Sequence, residues 1–382
     1  MQPAGSEPSE PEPNVSSTVS IILDSQPSCC EFAKSHNLLV VGTYNLITGQ
    51  DAGSQRTETH VETPVQERTG SLLVFRITKQ TATLLQTKVL SYAVLDLHFS
   101  PTDPSIFAVA TSVGTVSFFS IDYEHDGALM NIRTMTVWDP SVLVLSLAYQ
   151  TLNGTSKIAV SGSSGSIAVI SDKHTEPRVI DPVPAHSQEA WTVAWSRQGL
   201  SCDSDLETEP SLYSGGDDSV LLKHDTRVQH SLIRDQKTHT AGVTAIVVLP
   251  MLHEGQEVLI TGSYDEYIRV LLPPSHGRSK ATILAEARLG GGVWRISRPY
   301  NDNFAQDEDD TKFNVLASCM HAGAKVVQIR RIVGTWSIEV MAKFTEHESM
   351  NYASDVRANE EGHLFASTSF YDRKLCVWSL PC

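Results

Sequence analysis

The sequence has no run of about 18 apolar residues, the length a membrane-spanning helix needs. It has no charged segment leading into a short apolar one of the kind that directs secretion. Cations are scarce: 29 Lys and Arg against 44 Asp and Glu leave a formal net charge of -15. Phosphate backbones and acidic membranes are bound by clustered Lys and Arg, so neither nucleic acid nor a membrane is an expected partner. The six cysteines, Cys29, Cys30, Cys202, Cys319, Cys376 and Cys382, form no CxxC pair and no framework of close bridges. Together these absences predict a reduced, soluble, cytoplasmic and monomeric protein. Also missing are a G-x-S-x-G elbow, an H-E-x-x-H helix, a P-loop and a G-x-G-x-x-G opening a helix. The histidines lack the spacing of a metal site, so no metal and no cofactor is expected.

Long helical periodicity is scarce as well. What the chain has is repetition. Short β-branched or alternating apolar runs are split by Gly, Ser and Asp, the pattern of strands and tight turns. Seven turns align: "TGSLLVFRI" at Thr69, "VGTVSFFSI" at Val113, "SGSIAVISD" at Ser164, "DSVLLKHDT" at Asp218, "DEYIRVLLP" at Asp265, "GAKVVQIRR" at Gly323 and "DRKLCVWSL" at Asp372. A strand precedes each, as in "NLLVVGTY", "EVLITGSY" and "LFASTSFY", and a further strand lies earlier still, as in "VLDLHFS", "WTVAWS" and "VWRISRP". Each unit therefore reads as four strands, a to d, with a tight turn between b and c. This resembles the WD-repeat β-propeller family, most clearly in "ITGSYDEYIRVL" and "STSFYDRKLCVWS".

The resemblance implies an all-β, seven-bladed ring. The last copy ends after its third strand, at "VWSLPC", while "STVSIILD" precedes the first complete copy. We expect residues 17–24 to complete the last blade and close the ring, which removes the open edges that make sheets aggregate. The propeller would then span residues 17–382. Residues 1–16, rich in Pro, Ser and Glu, read as a flexible tail. In such a ring the b–c turns and d–a loops share one face. That face carries the longest insertion, residues 45–69 in blade one, either a lid over the channel mouth or a disordered loop. His186, His239 and His347 read as blade residues that buttress turn acids, and Asp218, Asp265 and Asp372 as those acids. His321 differs, because its turn holds Gly323 where an acid would stand.

A second resemblance is narrower. "VVGTY", "LYSGGDDSVLLKHDTR", "GSYDEYIRVL", "GGVWRI", "CMHAG" and "SFYD", in that order, resemble the diphthine methyl ester hydrolase family, WD-repeat proteins of diphthamide biosynthesis that also carry the older name methyltransferase. The chain departs from the pattern at His224, where a Trp is expected. The resemblance implies a carboxylic ester hydrolase. Its substrate would be a modified histidine on translation elongation factor 2 that bears a trimethylammonium group and a methyl-esterified carboxyl.

Such chemistry needs a base, an oxyanion donor and a cation site on one face. We expect His321 to activate water, oriented by Asp355 or Glu189. Backbone N–H groups at Gly291 and Gly292 would receive the oxyanion. Trp191, Tyr264, Trp294, Tyr352 and Tyr371 would hold the cation, since a quaternary ammonium donates no ordinary hydrogen bond and aromatic faces attract it. Cys319, on a strand, reads as a buried apolar residue, so activated water ranks above it as nucleophile. The alternative is a non-catalytic scaffold that binds partners through the same face. The feature that separates the two is whether His321 stands at the channel mouth beside a carboxylate.

Overall fold

The structure, a computed structural model, describes residues 12–33, 36–47, 67–152, 155–171, 178–179, 185–197, 211–226, 231–274, 279–300, 310–359 and 362–380. Among them there is no helix. Strands rich in Val, Ile and Ala, cut every few residues by Gly, Ser and Asp, suit pleated sheets and leave no stretch for helical hydrogen bonding. They form seven antiparallel sheets arranged as the blades of a propeller. Blade four shows the order: Ala190–Trp195, Leu212–Gly216, Leu221–His224 and Ser231–Asp235 run from the inside outward. The seven innermost strands line a central channel.

A single sheet cannot enclose a core, so the apolar faces meet between blades. Seven buried clusters result, one at each junction of neighbouring blades. Between blades one and two, Val40 and Leu72 meet Leu97 and Phe107, all fully buried or nearly so. Each such side chain contributes about 1.5–3 kcal/mol. The ring is thus held by every junction in turn.

The N-terminal strand closes it. Ser17–Ile22 pairs antiparallel with Lys374–Leu380, from Ser17 opposite Trp378 to Ile22 opposite Lys374, and completes blade seven. One element was not foreseen. Asn14–Val15, inside the stretch read as tail, pairs in parallel with Lys343 and Phe344 on the outer strand of blade six. The Glu12 carboxylate reaches Lys325 at 3.3 Å. Residues 12–22 therefore strap blade six to blade seven, and the reading of a tail through residue 16 is corrected there; residues 1–11 lie outside the described residues.

All three blade histidines bond within their own blades, but only His186 is hydrogen-bonded to its turn acid; the Nδ1 atoms of His239 and His347 meet no described acid. His186 Nδ1 lies 2.9 Å from Asp218 Oδ1 and its Nε2 lies 2.8 Å from Ser214 Oγ, which also meets His224 Nε2 at 2.7 Å. His224 thus fills the Trp position of the repeat as a hydrogen-bonding partner. Blade seven keeps the Trp: Ser367 Oγ meets His347 Nε2 at 2.9 Å and accepts the Trp378 indole N–H at 3.1 Å. In blade five His239 Nε2 meets Thr261 Oγ1 at 2.9 Å. Burial holds both His239 and His347 down to about 4. In blade one, residues 45–47 and 67–69 prolong the b–c hairpin outward. The rest of that insertion, residues 48–66, lies outside the described residues.

Candidate functional site

The inner strands enter from the d–a face through a repeated irregularity. In blades one to five the register against the second strand slips at the start of the inner strand, for example between Ala190 and Thr192. A bulge re-aims the extra side chain. In blade four that residue is Trp191. In blade six Trp294 stands immediately before the strand Arg295–Ile296, its N–H donating to the Ser318 carbonyl at 2.8 Å.

These two indoles meet, with ring centroids 5.1 Å apart and planes at 63°. Tyr264, from the b–c turn of blade five, stands edge-on to Trp191 at 6.3 Å and 89°, and 5.8 Å from Trp294. Three half-buried rings at steep angles make walls rather than a stack. The Trp191 indole N–H donates to Asp217 Oδ1 at 3.0 Å. Burial first, then the charges of Asp217 and Glu189 together with Tyr352, push the Tyr264 phenol up. Two carboxylates therefore act on the same aromatic corner. Gly242 is needed for it, because a Cβ there would lie 2.8 Å from Tyr264 Cδ2 and 3.0 Å from Asp217 Oδ1.

The rings continue. Tyr352 lies 5.2 Å from Trp294, and Phe370 lies 5.4 Å from Tyr352. Tyr44 stands 6.1 Å from Phe370, and Tyr371 stands 5.0 Å from it. Trp191, Tyr264, Trp294 and Tyr352 are thus brought together as expected. Tyr371 is peripheral and 67% exposed, joined to the row through Phe370. Asp217, Phe370 and Tyr44 were not singled out from the sequence. The doublet Asp217-Asp218 did carry a signal: one acid holds His186, which leaves the other for the mouth.

Beside this corner lie Gly291 and Gly292. A Cβ on Gly292 would come within 2.7 Å of Met320 Sδ and 3.2 Å of Tyr264 Cδ1; one on Gly291 would lie 2.2 Å from the Cys319 carbonyl oxygen and 2.9 Å from Ala322 Cβ. The b–c turn of blade six therefore rests directly on both glycines. Neither glycine donates its N–H to another described residue, whereas the next two N–H groups, of Val293 and Trp294, are bonded within the ring.

His321 sits between Met320 and Ala322 on that turn, exposed. It has no hydrogen bond, ion pair or ring contact with any described residue. Gly323, at φ +74°, could not carry a Cβ, which would lie 2.1 Å from the Phe344 carbonyl oxygen. No carboxylate among the described residues partners it, so the relay to Asp355 or Glu189 is corrected, and this feature does not favour the hydrolase over the scaffold. Asn351 pairs with Met320, its N–H donating to the Met320 carbonyl at 3.0 Å. Asp355 lies four residues further along the inner strand, about 13 Å deeper at 3.3 Å per residue. Glu189 acts instead through its charge on Tyr264. Cys319 is fully buried, and burial pushes its thiol up to about 12, the state of an inert structural cysteine.

Asp355 lines the channel, a cavity of about 860 Å³. It accepts the Phe32 N–H at 2.7 Å, and removal from bulk water followed by repulsion from Glu31 pushes it up to about 7. Across the channel Arg295 pairs with Asp96 at 2.8 Å, and His98 Nδ1 meets Glu31 Oε2 at 2.6 Å. Burial works against the charged form of His98, but Asp96 and Glu31 outweigh it and hold the imidazole above its ordinary value. None of the aromatic residues of the mouth lines this cavity.

No family model matches the chain. Over its whole length it is similar, at 15% identity and a TM-score of 0.60, to 97% of a chain in the crystal structure of the mitotic checkpoint complex, a likeness of fold alone. Among curated proteins, the diphthine methyltransferase of Homo sapiens is 27% identical over 85% of this chain and 70% of its own. That of Saccharomyces cerevisiae is 26% identical over 92% of this chain and 95% of its own. The diphthine methyltransferase of Schizosaccharomyces pombe is 36% identical over 75% of this chain and 78% of its own, and on that match the protein belongs to the diphthine methyltransferase family.

Proposed function

We propose that this protein hydrolyses the methyl ester of methylated diphthine on translation elongation factor 2, a step of diphthamide biosynthesis, acting as a cytoplasmic monomer. The observation that carries the reading is the corner of Trp191, Tyr264 and Trp294, with Asp217 bonded to it and the charge of Glu189 acting on Tyr264. A trimethylammonium group offers no N–H, so aromatic faces and carboxylates are what can hold it, each good cation–π contact contributing about 0.5–2 kcal/mol.

With the cation there, the ester falls against blade six. His321 takes a proton from water, and the water oxygen attacks the ester carbonyl carbon. The N–H groups of Gly291 and Gly292, which no other described residue uses, receive the oxyanion. The bond to the methoxy oxygen then breaks, His321 returns its proton to that oxygen, and methanol and a carboxylic acid leave, the acid giving its proton to solvent. Asp355, in the channel, takes no part in this step.

The test is to incubate the purified protein with the methyl-esterified factor. Hydrolysis removes one methylene from the factor's mass and releases an equivalent of methanol. An unchanged mass overturns the reading. A gain of one methylene on the unesterified factor, seen only with a methyl donor, would instead favour methyl transfer.

A further inference from the structure

We propose that Tyr44, Tyr352 and Phe370 form a second subsite, beside the cation corner, that takes the imidazole ring of the modified histidine. The proposal rests on the reading above, because it is that substrate which carries a flat ring a short chain away from its trimethylammonium group. The row of rings does not end at the corner. From Trp294 it passes to Tyr352 at 5.2 Å, to Phe370 at 5.4 Å and to Tyr44 at 6.1 Å, with planes at 52°, 65° and 52°. All three rings are half-buried, packed on one another while keeping part of their surface open. A gap between tilted aromatic rings accepts another ring edge-to-face or offset.

The rings are also fixed. The Phe370 N–H donates to the Met350 carbonyl at 3.0 Å and the Tyr44 N–H to the Gln26 carbonyl at 2.8 Å. Arg68 Nε donates to the Tyr44 hydroxyl at 2.7 Å. Tyr371 backs Phe370 edge-on at 84°. A subsite held from behind loses little entropy on binding.

The two ends of the row differ in charge. Asp217 and Glu189 act at the blade-four end, whereas a guanidinium caps the blade-one end. A ligand with a cation and a ring then has one favourable orientation: cation towards blades four and five, ring towards blades seven and one. Blade six lies between, and with it Gly292, which touches Tyr264, and the turn that carries His321. The ester carried by the same side chain is delivered to that side.

The test uses the full chain and two probes, with binding followed by tryptophan fluorescence. One is tetramethylammonium. The other is a synthetic imidazole joined through a short alkyl chain to trimethylammonium. The wild type is expected to bind the imidazole probe about 10-fold more tightly than tetramethylammonium, and Phe370→Leu to lose about 3- to 10-fold on that probe alone. Equal or undetectable binding of both probes by the wild type overturns the proposal, and so does a Phe370→Leu variant that weakens both alike. These titrations involve no ester hydrolysis, so the functional reading fails separately, through an unchanged mass of the methyl-esterified factor.

Discussion

Replacing His321 by Ala separates chemistry from folding more cleanly than any other change in this protein. The side chain is exposed and touches no described polar or aromatic group, so its loss is expected to alter stability by no more than about 0.5 kcal/mol. As the general base, it is expected to supply about 10²–10⁴ in rate, or roughly 3–5 kcal/mol of barrier at 1.36 kcal/mol per decade. His239→Ala is the control with opposite sign. His239 is 3% exposed and bonded to the fully buried Thr261 hydroxyl. Its removal orphans that hydroxyl at a cost of about 1–3 kcal/mol and leaves a void. Initial rates of methanol release and thermal midpoints, measured on both variants, form the assay. His321→Ala should lose turnover and keep its midpoint; His239→Ala should lose midpoint and keep the turnover of its folded fraction. Wild-type turnover in His321→Ala would refute the assignment, as would a midpoint that falls as far as that of His239→Ala.

Three further outcomes are expected. Deleting residues 1–24 strips the closing strand from blade seven and exposes its edge, so the truncated protein should melt earlier and aggregate on gel filtration, whereas deleting residues 1–11 should leave both unchanged. Gly323→Ala places a Cβ against the Phe344 carbonyl at positive φ, and should lower stability by at least about 1 kcal/mol in chemical denaturation. Asp355→Asn bears on pH. The folded carboxyl is pushed up to about 7, so between about pH 4 and 7 the folded chain holds a proton that the unfolded chain has lost, and the group's contribution to stability falls as pH rises through that window. The Asn variant should therefore out-melt the wild type at pH 8, by no more than about 4 kcal/mol and less where channel water screens the charge, and match it near pH 4. A constant difference across that range would refute the assignment.

The ring was legible because each blade repeats the same apolar strand, polar turn and apolar strand, and because seven anchors with an incomplete last blade leave the N-terminal strand one place to go. Asn14–Val15 was not legible. Two residues paired in parallel have no periodicity of their own, and their partner is an edge that only the assembled blade six provides. The aromatic corner was legible for a similar reason to the ring: loop and turn positions of known face carry Trp191, Tyr264, Trp294 and Tyr352. Depth was not. Sequence order brings Asp355 within three residues of Tyr352, but an inner strand runs along the channel, so each residue carries the chain away from the mouth. Nor could charge sharing be read for Glu189, whose effect on Tyr264 needs blades four and five side by side.

The blades also divide their polar residues between holding the ring and serving the mouth. Where a turn keeps its acid, the acid is committed: Asp218 to His186, and Asp372 to the Glu348 N–H at 3.0 Å. Blade four has a second acid in Asp217, and that one binds Trp191. Blade six has none, and its histidine has no partner among the described residues. The bulge positions divide in the same way. Blades one, two, three and five place Ser28, Leu95, Leu145 and Thr244 there, and only blade four places an indole, with Trp294 beside it from blade six. Blades one to three also lack the turn acid, with Thr69, Val113 and Ser164 in its place, but their bulges bring no ring to the mouth. A ring whose blades had all kept the repeat would present the same mouth in every direction and could not tell one end of a ligand from the other. The added indoles and the added acid along one arc make the mouth polar, with acids at one end, an arginine at the other and, between them, a histidine with no partner among the described residues. The expected reaction needs that order: a cation anchored on one side, a ring on the other, and an ester held above the glycines where water can reach it.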